Sequence, residues 1–238
     1  MADIYIVTSS DLTSVADAIR TKTNATEHLT FPSGFSTAIN NIQTAPTEPY
    51  VEEIFSSDDS FGKLISAVFH GGVRVRANMF YNSTYLTSVT LPSKGLKYID
   101  NSAFKGCTSL PSIDIPNGIW TIGNEAFCDC TNLTMTELPA GLMSIGGYAF
   151  ANCPNITMSY LPPSMTTIFA GAFKNCTGLT TMTFASKVTS IGSEMPSNVF
   201  EGCTNLTTIN VPWAEGAIAN APWGATNATI NYNYTKTN

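Results

Sequence analysis

The groups of this 238-residue chain that could do chemistry are its carboxylates and its thiols. Asp114 and Glu137 lie 23 residues apart, each central in a short strand-like run, Ile113-Asp114-Ile115 and Thr136-Glu137-Leu138. On adjacent parallel strands they would stand about 5 Å apart, close to the carboxylate separation of a retaining glycosidase. That chemistry needs one carboxyl group held as an acid in a cleft, and a shallow strand face buries neither. An exposed, solvated pair is the stronger reading, and no enzyme is expected. The thiols are Cys107, Cys128, Cys130, Cys153, Cys176 and Cys203. Cys128-x-Cys130 is not zinc spacing, and the only histidines are His28 and His70, so neither a metal nor a cofactor is expected. The sequence has no Gly-rich phosphate loop and no Gly-x-Ser-x-Gly elbow.

The elements that carry these groups are set by a period. Ala103-Phe104-x-x-Cys107 returns at Ala126-Phe127, Ala149-Phe150 and Ala172-Phe173, with Cys130, Cys153 and Cys176 each 23 residues after the last. A further copy, Val199-Phe200-x-x-Cys203, follows after 27. Three residues beyond each Cys stands Leu110, Leu133, Ile156, Leu179 or Leu206. A strand-like run follows, closed by Pro116, Pro139, Pro162 or Pro212, while Ala185 breaks that rule. A second apolar pair comes next (Ile119/Ile122, Leu142/Ile145, Met165/Ile168, Val188/Ile191), and then Gly123, Gly146 or Gly192 turns the chain. Phe169 replaces that glycine once, so its turn must differ or expose a ring. With a degenerate copy from Phe80, where Ser83 takes the Cys place, six Phe-to-Leu units begin at Phe80, Phe104, Phe127, Phe150, Phe173 and Phe200. An exact period of this length predicts a solenoid of stacked supersecondary units. Solenoids mostly present surfaces.

Residues 80–212 thereby carry Leu-x-x-Ile-x-Leu-Pro-x-x-Leu-x-x-Ile-Gly-x-x-Ala-Phe-x-x-Cys, which resembles the leucine-rich repeats of the BspA-like (Treponema pallidum type) family. The resemblance implies a mainly β fold, a curved right-handed solenoid with a parallel sheet on one side. It also implies a surface that binds proteins or other surfaces, as in bacterial adhesins and phage-encoded proteins.

Stacking places five cysteines in one buried column. An odd number of parallel-stacked thiols is not a disulfide framework, and free Cys packs as a small hydrophobe. Cys128 stands where Lys105 and Lys174 occur in other copies, so it is expected to be exposed and oxidisable. Charged residues are only 12% and the net charge is -6, which disfavours nucleic-acid binding. An apolar fraction of 43% is ample for a core. No run approaches the roughly 18 apolar residues of a membrane span, so no membrane insertion is expected. Residues 1–7 lack the basic and apolar regions of an export signal, an expectation that argues against an exported adhesin.

Residues 1–43 differ in pattern. Leu12, Val15, Ala16 and Ile19 share one helical face, and a second short helix is expected at 36–42. Two helices this short cannot bury a core alone, so 1–43 is expected to attach to a partner, to other copies, or to the first coil as a cap. Leu12 to Lys22 and Leu29 to Ile39 resemble the N-terminal segment of tail-associated proteins from phages and prophages of Gram-positive bacteria. That resemblance implies virion attachment to other tail proteins and a homo-oligomer, a trimer being favoured. Residues 44–76 read as a linker and a β-hairpin, 77–212 as the solenoid, and 213–238 as a cap. In that cap Trp213 and Trp223 cover the last coil, the alternative being a sugar-binding aromatic platform.

Two surfaces are candidates for recognition. The outward strand column runs Thr90, Asp114, Glu137, Tyr160, Thr183 and Asn210, and Met135 and Met158 are expected beside it. The candidate site on it is Asp114, Met135, Glu137, Met158 and Tyr160. The opposite ridge offers Tyr98, Trp120, Met143 and Phe169. The sequence supports a non-enzymatic component of a phage tail, located in the virion, whose solenoid meets a host surface protein or glycan. The alternative is a BspA-like adhesin or protein-interaction module at the bacterial cell surface.

Overall fold

The computed structural model describes residues 51–55, 64–191 and 198–235, and the helical expectation for 1–43 lies outside them. Among the described residues there is no helix. The chain winds into about seven stacked turns. Strands β1 (Val51–Phe55) and β2 (Leu64–Phe69) pair antiparallel. β2 then pairs parallel with β4 (Ser88–Thr90), and β3 (Arg74–Val75) opens a parallel sheet. The stack therefore already includes β2 and β3.

The continuous sheet is six strands wide. It runs β3, β5 (Tyr98–Ile99), β6 (Thr121–Ile122), β7 (Ser144–Ile145), β8 (Thr167–Ile168) and β10 (Ser190–Ile191), all parallel. Each strand is a pair with one outward residue and one buried aliphatic, so Tyr98, Thr121, Ser144, Thr167 and Ser190 align outside and Ile99, Ile122, Ile145, Ile168 and Ile191 inside. This strict two-residue alternation suits a sheet with one buried face.

The opposite flank was expected to carry the sheet and does so only at its ends. There β9 (Thr181–Thr183) pairs with β11 (Thr208–Asn210), and β11 with β12 (Thr229–Asn231). Between β4 and β9 only the isolated bridges Met135–Ile156 and Tyr160–Thr183 remain. The cause is a slip of phase. Ile113 and Met182 are buried, but the equivalent Thr136 and Ser159 are polar and exposed. Met135 and Met158, one residue earlier, turn inward to fill the core instead. Burying a methionine outweighs keeping a ladder hydrogen bond that water can replace.

Six phenylalanines form the spine of the core. Phe80, Phe104, Phe127, Phe150, Phe173 and Phe200 stack with centroids 5.1 to 5.8 Å apart and planes within 16° of parallel. Such pairs add about 0.5–1.5 kcal/mol beyond their buried area. The preceding alanine is buried between coils, and its carbonyl accepts the phenylalanine N–H of the coil before, as in Phe104 N to Ala126 O at 2.7 Å.

The Phe-x-x-Cys spacing has a specific reason. From Phe104 to Phe173 each phenylalanine carbonyl accepts the cysteine N–H of its own turn and the thiol of the next coil, while Phe80 accepts Ser83 N–H and the Cys107 thiol. Cys107 donates to Phe80 O at 3.1 Å, Cys130 to Phe104 at 3.0 Å, and Cys153, Cys176 and Cys203 continue the series at 2.9 to 3.0 Å. The thiols are free, as expected of the column. Burial pushes Cys107 and Cys153 up to about 12 and Cys203 up to about 11, so all three stay protonated donors. The same desolvation raises Cys130 and Cys176 further.

The last coil is closed by Trp223, which is fully buried against Phe184 and donates its indole N–H to Ala219 O at 2.9 Å. Its carbonyl takes the place of the missing next repeat by accepting Phe200 N–H. Trp213 packs edge-on to Phe184. These contacts are those of a cap, because a fully buried indole cannot serve as a sugar platform.

Candidate functional site

The sheet edge builds an exposed aromatic and cationic patch from consecutive coils. Tyr98 and Trp120 meet edge to face with centroids 6.2 Å apart. Lys97 Nζ sits 4.7 Å from the Trp120 ring centre, and the Arg74 guanidinium 4.8 Å from that of Tyr98. Arg74 also forms an ion pair with Asp100 at 3.0 Å. Trp120 and Met143 remain 44% and 46% exposed, although both are large and apolar. The rings are held at fixed spacing because Lys97, Trp120 and Met143 each precede a strand in the same register. Trp120 N–H donates to Lys97 O and Met143 N–H to Trp120 O.

At the other edge of the sheet, Tyr148 and Phe169 line an open cleft of about 370 Å³ with Asn124, Glu125, Gly147 and Ala170. The anomalous Phe169 keeps the backbone bond of its glycine counterparts, since its N–H donates to Ile145 O at 2.9 Å as Gly146 does to Ile122. Its turn is therefore conventional, and its ring is half-buried at the surface. Tyr148 holds a left-handed backbone (φ 56°), which is rare for an aromatic residue. Its ring lies over Gly171, where an added Cβ would come within 2.5 Å of Cε1. Asn124 Oδ1 accepts Gly147 N–H at 2.7 Å, and Glu125 pairs with Lys105 at 2.7 Å, so the cleft floor is fixed.

The other candidate residues separate. Asp114 and Glu137 are exposed, on segments that no ladder joins. Tyr160 is half-buried. Met135 and Met158 are buried, so the amphipathic spot expected around Tyr160 is not assembled. Cys128 is also a correction. It is buried and raised to about 12, first by desolvation and then by Asp129, so it is not an exposed, oxidisable thiol. Among the described residues no group of three or more His, Cys, Asp or Glu could hold a metal ion, and no helix is long and apolar enough to cross a membrane. Of the ridge Tyr98, Trp120, Met143 and Phe169, the first three lie together and their side chains reach solvent, whereas Phe169 stands at the cleft on the other edge of the sheet. Sequence reasoning missed Lys97 and Tyr148. Lys97 could have been found from its place one repeat before Trp120, and Tyr148 from its place one repeat after Glu125.

Residues 73–207 match six copies of the pattern described as the BspA type leucine rich repeat region. Among solved structures, the chain is similar to a leucine-rich repeat protein of Bacteroides ovatus at 23% identity and a TM-score of 0.50, covering 67% of this chain and 45% of that one. It is similar to the leucine-rich repeat protein of T. pallidum at 26% identity and a TM-score of 0.50, covering 67% and 81%. It is also similar, at a TM-score of 0.43 and 25% identity over 68% and 52%, to a leucine rich cell surface protein of Faecalibacterium prausnitzii. The chain thus spans less than half the length of the Bacteroides protein. No curated protein matches.

Proposed function

We propose that this chain, which belongs to the BspA-type leucine-rich repeat family, is a non-enzymatic recognition module at a bacterial cell surface, binding its partner on the six-stranded sheet. One observation carries the reading: Trp120 and Met143 stand exposed side by side on a rigid ladder, with Tyr98 held edge-on beside them. A large indole and a thioether held side by side in solvent have the character of interface anchors. On the opposite flank Met135 and Met158 are buried, and Asp114 and Glu137 are exposed carboxylates.

Adhesion of the purified chain to the cells or matrix it meets tests this. Trp120→Ala and Met143→Ala should each weaken adhesion by roughly tenfold, the loss of an interface anchor. Glu137→Gln should leave adhesion unchanged. Equal adhesion of Trp120→Ala and the unaltered chain would remove the sheet face from consideration.

A second reading rests on the motif at 12–39. In it the chain is a phage tail component, residues 1–43 attach it to other tail proteins as a homo-oligomer, and the same sheet meets the host. Deleting 1–43 should then convert an oligomer into a monomer, measured by light scattering. An unaltered monomeric state before and after deletion would sink this reading and leave the first standing.

A further inference from the structure

We infer that the sheet face takes a linear acidic polysaccharide, one bearing uronic-acid carboxylates, an inference that rests on the proposed binding role of that face. The protein as a whole is acidic, with a net charge of -6. Its charge is nevertheless divided between the two flanks. On the first coils of the sheet Lys97 lies over the Trp120 ring, with Arg74 over Tyr98 and paired with Asp100, whereas Asp114 and Glu137 lie exposed on the far flank. Lys105 and Lys174 are engaged by Glu125 and Glu201, so they add nothing to either face. Among the described residues Lys97 is therefore a cation that an anionic chain can meet on the sheet, and a Debye length of roughly 8 Å keeps the far carboxylates from cancelling it.

The chemistry beside those cations suits sugars. A pyranose ring has an apolar C–H face and a polar rim. Trp120 supplies the exposed flat ring on which that face can stack, and Lys97, held over the same ring, is placed to meet a carboxylate on the rim. Beyond Tyr98 the outward row continues as Thr121, Ser144, Thr167 and Ser190, in register from strand to strand. Their hydroxyls make no hydrogen bond to other groups among the described residues. The contrast with neighbouring hydroxyls is informative. Thr166 and Thr189, one residue earlier, donate to the carbonyls of Met143 and Thr166 and so are already used. The half-buried row thus presents donors and acceptors spaced by roughly 4.8 Å, the strand separation, along a path that starts at the aromatic and cationic patch. An acidic peptide would satisfy the cations but would leave this hydroxyl row without a ladder of matching partners.

Calorimetry on the full chain tests the inference, with a hexamer of galacturonic acid and neutral cellohexaose as probes. The hexagalacturonate should bind, and cellohexaose at least tenfold more weakly. Trp120→Ala should cost roughly tenfold in affinity. Lys97→Gln should cost several-fold and flatten the salt dependence. Glu137→Gln should change nothing. Melting of each variant within a degree or two of the parent keeps the comparison clean, since surface substitutions fall within about 0.5 kcal/mol. Absence of hexagalacturonate binding, or an affinity unmoved by Trp120→Ala, overturns the inference. Cellohexaose binding equal to that of the uronate overturns its acidic component. If Trp120→Ala abolishes cell adhesion while no hexasaccharide binds, the polysaccharide is wrong and the binding face stands. If adhesion itself ignores Trp120→Ala, the face is wrong as well.

Discussion

On the flank of Tyr98, Thr121, Ser144, Thr167 and Ser190, six short strands keep one register across consecutive coils. On the flank of Ile113, Thr136 and Ser159, ladders survive only toward the two ends of the stack. Both flanks obey the same 23-residue period, so period alone does not make a sheet. What differs is the constancy of the inward residue. The sheet flank has Ile99, Ile122, Ile145, Ile168 and Ile191 at one position, and every outward neighbour can then align. The other flank offers Ile113, Thr136, Ser159 and Met182 at its inward position, and the two polar members force the chain to bury Met135 and Met158 instead. A recognition surface benefits from the first arrangement, because its side chains stand on a backbone that does not shift from coil to coil.

Alkali should produce the largest effect, because it acts on the thiol column shared by both flanks. The folded thiols are raised above their ordinary value, so the stability they lend is whole below that value, near 9, and is lost progressively as the pH climbs toward about 12. Each column thiol should cost about 1.4 kcal/mol per pH unit in that window. Thermal melts between pH 8 and 11 should therefore fall steeply, and native thiols, Cys128 included, should resist labelling at pH 7. Rapid labelling of any one of them would locate an opening in the flank that covers it.

Core truncation beneath each flank comes next. Ile145→Ala under the sheet and Met158→Ala under the broken flank should both lose about 2–5 kcal/mol by chemical denaturation. A loss under about 0.5 kcal/mol for Met158→Ala would mean the methionine faces solvent and that the phase slip is wrong. Gly171→Ala should cost about 1–3 kcal/mol, because φ is 67° there and the new methyl would strike the Tyr148 ring. If its melting temperature stays at the parent value, Tyr148 moves freely and the cleft is not a fixed feature of the sheet edge. Smallest of all, breaking the exposed Arg74–Asp100 pair with Asp100→Asn should change stability by about 0–1 kcal/mol, less at high salt. A larger loss would show that the ion pair anchors the first strand of the sheet.

Much of this was legible in the sequence because stacking repeats the same demand at every coil. The phenylalanine spine, the buried thiol column and the closing role of Trp223 follow from residues that recur, or cease to recur, at fixed intervals. The candidate ridge of Tyr98, Trp120, Met143 and Phe169 was also visible as a row, though the row could not show that Phe169 stands apart at the cleft. Met135 and Met158 were not legible, because alternation within a run assumes a phase and cannot report its slip. Cys128 misled for a related reason: it was judged by the lysines at its position, whereas neighbouring Asp129 and the adjoining coils cover it.

The sequence by itself determined the solenoid, its family and its core, since an exact period leaves few ways to bury five cysteines and six phenylalanines. Only the tertiary structure decided which flank carries the sheet. That choice depends on whether methionine burial or ladder hydrogen bonding wins in two particular coils, a balance of a few kcal/mol between competing local packings. It also decided that Lys97 rests on Trp120 and Arg74 on Tyr98, because those contacts join residues a full coil apart and exist only once the coils are stacked.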